Sequence, residues 1–120
     1  MWEALIKGLS EFLAHFLEYR NKSQEQKDLA LSAIISAANE TKIYIKSVQN
    51  KGQTNRNTEE KLSRLWAAAA VPLRHFDQDL ARRCLEKSDY WLNPDNYSAT
   101  DIAKFRIGIE QVYKDAKELL

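Results

Sequence analysis

The sequence predicts an all-α protein, an antiparallel four-helix up-and-down bundle that forms a single domain over residues 1–120. Three observations predict it. Apolar residues recur at helical spacing in four segments, no segment shows the alternation typical of a strand, and the connections between segments are short. A chain of 120 residues, 44% of them hydrophobic, can build one core but not two comfortable ones.

The first predicted helix covers about residues 2–19. Charged residues interrupt its apolar character, and the segment has neither a basic start nor a small-residue cleavage site, so we expect part of the fold and not a signal peptide. No apolar run here is long enough to span a bilayer. One face of this helix is apolar and is formed by Trp2, Leu5, Ile6, Leu9, Phe12, Leu13, Phe16 and Leu17.

The second predicted helix covers about residues 24–50. A polar stretch at 51–57 then predicts a loop. Thr58 can cap the next helix, because Glu59 and Glu60 follow in its first turn, where acidic side chains are favourable. The buried stripe of the second helix is predicted to comprise Ala30, Ile34, Ala37, Ala38, Thr41, Tyr44, Ile45 and Val48.

The third predicted helix covers about residues 58–91 and contains Pro72. Proline lacks an N–H and its ring crowds the carbonyl four residues earlier, so a kink is expected near residues 68–72. The apolar run at 65–73 indicates either tight packing around Trp66 or a pocket opened by the kink. The core stripe of this helix reads Leu62, Leu65, Trp66, Ala69, Leu73, Phe76, Leu80 and Cys84.

The fourth predicted helix covers about residues 99–119, after Pro94 has ended the third. Ser98 is the expected N-cap, with Asp101 as its capping-box partner. Tyr97 and Ile102 then occupy the positions of a hydrophobic staple. The buried face is predicted to be Ile102, Phe105, Ile109, Val112, Tyr113 and Ala116.

The back of the second helix is one candidate binding surface. Small side chains there would let another helix approach closely, and aliphatic ones would supply contacts. This pattern favours a non-enzymatic protein that acts through protein–protein interaction, as a homodimer or with another protein, although scattered exposed aliphatics also occur on ordinary monomer surfaces. The residues concerned are Leu29, Ser32, Ser36 and Ile43.

A basic tip between the second and third helices is the alternative surface. Residues 41–64 hold six basic and two acidic side chains, a net charge of +4 in a chain of net charge +1. Such a tip would suit nucleic acid or an acidic partner, but no nucleic-acid-binding motif accompanies it, and a solvated loop kept soluble by lysines is the simpler interpretation. Its basic residues are Lys42, Lys46, Lys51, Arg56, Lys61 and Arg64.

Residues suited to catalysis or metal binding are few. His15 lies at helical spacing between Glu11 and Glu18, and His75 lies four residues before Asp79, a spacing that bundle metal sites use. Both histidines fall away from the core stripes, so surface ion pairs explain them better. We therefore predict no catalytic, cofactor or metal residues, with a bundle metal site or an uncharacterised enzyme as the remaining alternative.

The cysteine usage points to a reducing compartment. Cys84 is the sole cysteine and cannot form an internal disulfide. Its place on the core stripe predicts a buried, unreactive thiol. A cytoplasmic protein with no membrane association is the expected context.

Overall fold

The computed structural model describes residues 2–94 and 98–120, and this part of the chain contains helices and no strands. The all-helical prediction is confirmed. The number of helices differs, because the described chain forms five where the sequence predicts four. They are α1 (Trp2–Ala14), α2 (Gln24–Lys51), α3 (Arg56–Leu73), α4 (Gln78–Leu92) and α5 (Ala99–Glu118), with a 3₁₀ turn at Phe16–Glu18 after α1.

The predicted third helix is in fact two helices. The chain leaves α3 at Leu73 and starts α4 at Gln78, so Pro72 lies in the last turn of α3 and not at a kink inside one long helix. Asp77 caps α4, where its carboxylate accepts a hydrogen bond from the backbone N–H of Leu80 at 3.0 Å. A proline that weakens the end of one helix and an aspartate that caps the next together produce a turn.

That turn folds α4 back along α3. Midway along the pair, the Ser63 hydroxyl donates to the carbonyl of Ser88 at 2.8 Å. At the start of α3, Arg56 donates to the carbonyls of Trp91, at 3.2 Å, and Leu92, which end α4. The two helices are therefore antiparallel over nearly their whole length.

Helix α2 lies between α3 and α5 and is antiparallel to both. Towards α3, the Trp66 indole N–H donates to the Thr41 hydroxyl at 3.0 Å. Towards α5, Arg106 donates to the Gln49 side-chain oxygen at 2.8 Å. The order around the bundle is α1, α4, α3, α2 and α5, and α5 packs against α1 again.

Helix α1 fills the place between α4 and α5. The Trp2 ring lies 4.8 Å from that of Tyr90 on α4 and 3.8 Å from that of Phe105 on α5. In the middle of α1, a Cβ added at Gly8 would lie 2.9 Å from Leu80 Cδ1, so glycine permits the close approach to α4. The N-terminal segment is thus part of the core, as predicted.

Two local expectations are wrong. Leu17, expected on the apolar face of the first helix, is 73% exposed, because α1 ends at Ala14 and the 3₁₀ turn changes the direction of the side chains that follow. Thr58 is not the cap of α3, because the Asn55 side chain accepts its backbone N–H at 3.0 Å.

The residue that caps the N-terminus of α5 is as expected. Ser98 is the N-cap, and its hydroxyl accepts the backbone N–H of Asp101 at 3.0 Å. Tyr97, the other half of the expected staple, lies outside the described residues.

Candidate functional site

A mostly apolar groove runs between the first half of α2 and the last turns of α3. It encloses about 430 Å³. Alanine side chains at 33 and 68 leave the space between the two helices unfilled at this height. The groove is lined by Gln26, Leu29, Ser32, Ala33, Ala68, Val71, Pro72 and His75.

Two aliphatic side chains flank this groove. Leu29 on α2 and Val71 on α3 are both 57% exposed. Covering what remains exposed would be worth roughly 1 kcal/mol for each of them. The groove therefore carries apolar surface that gains free energy when another molecule covers it.

The surface predicted on the back of the second helix overlaps this groove. Leu29 and Ser32 line it, Ser36 is exposed one turn further along, and Ile43 is exposed two turns beyond that. Pro72 also lines the groove, although by ending a helix next to α2 and not by opening a kink. The sequence does not indicate that Val71 and Leu29 share one groove, because that depends on how α2 and α3 align.

The basic tip contacts the end of α4 through Arg56. Arg56, one of its residues, holds the C-terminal carbonyls of α4 and also lies 3.8 Å from the carboxylates of Glu59 and Glu60. An arginine at that position satisfies the unpaired carbonyls at a helix end. Its guanidinium is therefore engaged within the molecule.

Two further residues of the basic tip have partners in the fold. Lys61 Nζ lies 3.3 Å from a carboxylate oxygen of Glu40, and Lys42 Nζ lies 4.0 Å from the ring centroid of Tyr113. An ammonium over an aromatic face is attracted to the ring. The other three basic residues of the tip, Lys46, Lys51 and Arg64, are exposed.

Beneath the tip lies a buried carboxylate. Glu59 is buried and accepts a hydrogen bond from the Tyr44 hydroxyl at 2.7 Å. The same hydroxyl accepts the backbone N–H of Asn55 at 3.0 Å. Burial, together with the Glu59 carboxylate, raises the pKa of Tyr44 above its usual value. The sequence shows Glu59 only as a first-turn acid.

The two histidines lie apart on the surface. His15 is exposed, with Nδ1 2.7 Å from a carboxylate oxygen of Glu18. His75 lines the groove, while Asp79 pairs with Arg83 at 2.8 Å. Over residues 2–94 and 98–120, no group of three or more His, Cys, Asp or Glu side chains could hold a metal ion.

Cys84 is fully buried in the core. Burial raises the pKa of its thiol to about 12. Because the thiolate is the nucleophilic form, this cysteine is unreactive at neutral pH in the folded protein. The structure places it as its position on the core stripe predicts.

Lys87 on α4 is a buried cation that the sequence analysis missed. Its side chain is only 3% exposed, and Nζ lies 4.1 Å from the ring centroid of Trp2 and 5.4 Å from that of Tyr90. Burial lowers its pKa to about 8, and the nearby Glu86 only partly opposes this. The spacing of Lys87 in the sequence could have indicated this burial. It lies three residues after Cys84 and four before Trp91, which places all three on the same face of α4.

Comparisons with known proteins give no relative. No protein family matches the chain, and no curated protein or solved structure matches it significantly. None of the helices in the described part of the chain is both long and apolar enough to cross a membrane.

Proposed function

We propose that this chain is a non-enzymatic helical-bundle protein that acts by binding another protein through the outer face of α2 and α3. The groove of about 430 Å³ carries the proposal, since apolar surface rimmed by polar residues is typical of protein-binding sites. Helix-in-groove recognition needs a channel of this kind, with aliphatic side chains spaced along it.

The basic tip supports a nucleic-acid function less well than the groove supports protein binding. Arg56, Lys61 and Lys42 have partners within the fold, which leaves fewer free cations for phosphates. We propose a reducing cytoplasm as the location, on the basis of the single cysteine.

Capture from the native cells tests the proposal. Tagged wild-type protein should retain a partner that the Leu29→Glu variant loses, because a carboxylate on the rim would be desolvated in the complex. Ile107→Glu is the matched control, since Ile107 is 70% exposed on the outside of α5. A partner that all three proteins retain, or that both variants lose, would contradict binding through the groove.

A further inference from the structure

We infer that the molecule bound on this face is a second copy of the chain, related by a two-fold axis that runs parallel to α2 and α3. The inference rests on the proposed function, because it uses the same groove. In the dimer, α2 of each copy packs on α3 of the other. The distribution of charge over the face is the observation that selects this occupant.

Charged side chains lie on both helices of the face. The outer side of α2 carries two acidic residues, Glu25 one turn before Leu29 and Glu40 one turn after Ser36. The outer side of α3 carries Lys61 and Arg64, with half-buried Glu60 beside them and 3.8 Å from Arg56. At this end of the groove, Glu40 on α2 and Arg64 on α3 lie on opposite sides, which makes that part of the face complementary to itself.

The alignment of α2 with α3 fixes which residues meet. The Trp66–Thr41 hydrogen bond and the Lys61–Glu40 ion pair show which positions of the two antiparallel helices lie at the same height. Rotation about an axis parallel to the helices keeps every residue at its height. Glu40 of one copy therefore faces Arg64 of the other.

A two-fold axis perpendicular to the helices does not fit this charge pattern. Such an axis places α2 against α2 and α3 against α3, so Glu40 cannot face Arg64 at any height of the axis. The helix-parallel axis brings these two opposite charges together twice.

Packing along the face agrees with this arrangement. Leu29 of one copy lies at the height of residues 71–75 of the other, so it covers Val71. Farther along, Ser36 faces Ala68, and these small side chains let the helices approach. The buried apolar surface of Leu29 and Val71 supplies the attraction, and the charges select the orientation.

The size of the face predicts a reversible dimer. Residues 25–43 of α2 extend about 27 Å at ~1.5 Å per residue, and two helices side by side are ~20 Å wide. The contact is then about 500 Å² per copy, below the ~800 Å² per partner of a standard interface. Monomer should prevail at low micromolar concentration, with the dimer forming as concentration rises.

Sedimentation equilibrium from low micromolar to millimolar concentration tests the dimer. The wild-type mass should rise from 13.9 kDa towards twice that value. Leu29→Glu should remain at the monomer mass, and Ile107→Glu should behave as the wild type. Circular dichroism should show unchanged helicity in both, since both positions are exposed.

A charge exchange tests the orientation. Glu40→Lys and Arg64→Glu should each weaken self-association by about tenfold, because each creates two like-charge contacts per dimer. Mixed together, the two variants should associate with each other, because the introduced lysine of one then faces the introduced glutamate of the other, and the unmodified Glu40 and Arg64 also face each other. Recovery in the mixture is the result expected only when α2 packs on α3 of the other copy.

Three results would overturn the inference: a wild type that stays monomeric throughout, a dimer that persists in Leu29→Glu, or a mixture that does not recover association. Failure of the dimer can be distinguished from failure of the proposed function. If the protein is monomeric but still captures a different protein in a Leu29-dependent manner, the dimer is refuted and the proposed function stands. If it neither dimerises nor captures another protein through Leu29, both the dimer and the proposed function are refuted.

Discussion

Replacing Lys87 by methionine should stabilise the protein. Methionine has a similar length, carries no charge and can keep contact with Trp2. The pKa of Lys87 is lowered from 10.5 to about 8, and at ~1.4 kcal/mol per unit this is at most about 3 kcal/mol of penalty for the buried ammonium. We expect a gain of about 1–3 kcal/mol in the free energy of unfolding at neutral pH.

The stability gained by Lys87→Met should decrease at alkaline pH. Below pH 8 the amine is protonated in both the folded and the unfolded chain, so the full penalty is present. Between pH 8 and 10.5 the unfolded chain binds more protons than the folded one, and wild-type stability rises with pH. The advantage of Lys87→Met should therefore shrink as pH rises above 8.

Urea unfolding followed by circular dichroism at several pH values measures this difference. Cys84 works in the opposite direction, because its raised pKa costs stability above pH 9, but it is common to both proteins and cancels in the comparison. Lys104→Met, at an exposed lysine of α5, is the control and should change stability little. The reasoning is refuted if Lys87→Met destabilises the protein, or if its advantage is the same at every pH.

Three further changes have expected outcomes. Gly8→Val should lower the free energy of unfolding by about 2 kcal/mol in urea titration, because its side chain would meet buried Leu80; an unchanged midpoint would contradict the close packing of α1. Arg56→Ala should cost about 1 kcal/mol through loss of its bonds to two carbonyls of α4, and Lys51→Ala should cost nothing measurable. Cys84 should react with a thiol reagent only as fast as the protein unfolds, and rapid labelling under native conditions would contradict its burial.

The helical character of the chain was predictable, because amphipathic stripes report directly which side chains face a core. The reversal of chain direction between α3 and α4 was not predictable from the sequence. Leu73 and Leu80 are seven residues apart, so the apolar period continues across the turn as though one helix ran through it. Asp77 was the local sign of a new start, and its role as a cap is visible only once Pro72 is known to lie near a helix end.

The candidate site was predictable on one helix only. Leu29 stands off the core stripe of α2 and was identified on that basis, whereas its neighbour Val71 depends on how two helices align. Lys87 was missed for a different reason. Charged residues are rarely buried, so a lysine on an apolar face is read as a surface residue, and the aromatic rings that receive it come from residues far apart in the chain.

The position of α1 between α4 and α5 has a consequence for folding order. Arg83 donates to the carbonyl of Ala4 at 3.2 Å across 79 residues of chain, while α3 and α4 meet across a short turn. Local contacts form readily and distant ones wait for the chain to close on itself. On the ribosome, α1 therefore emerges well before α4 and α5, the helices that cover it.

Until α4 and α5 have been made, the apolar side of α1, including Leu5 and Leu9, lacks the two helices that it packs against. Nascent chains that stop before α4 should bind a hydrophobic dye that the chain of residues 1–120 does not bind, and equal dye binding would argue against this order. Newly made protein thus passes through an interval of vulnerability to aggregation whose length is set by the speed of translation.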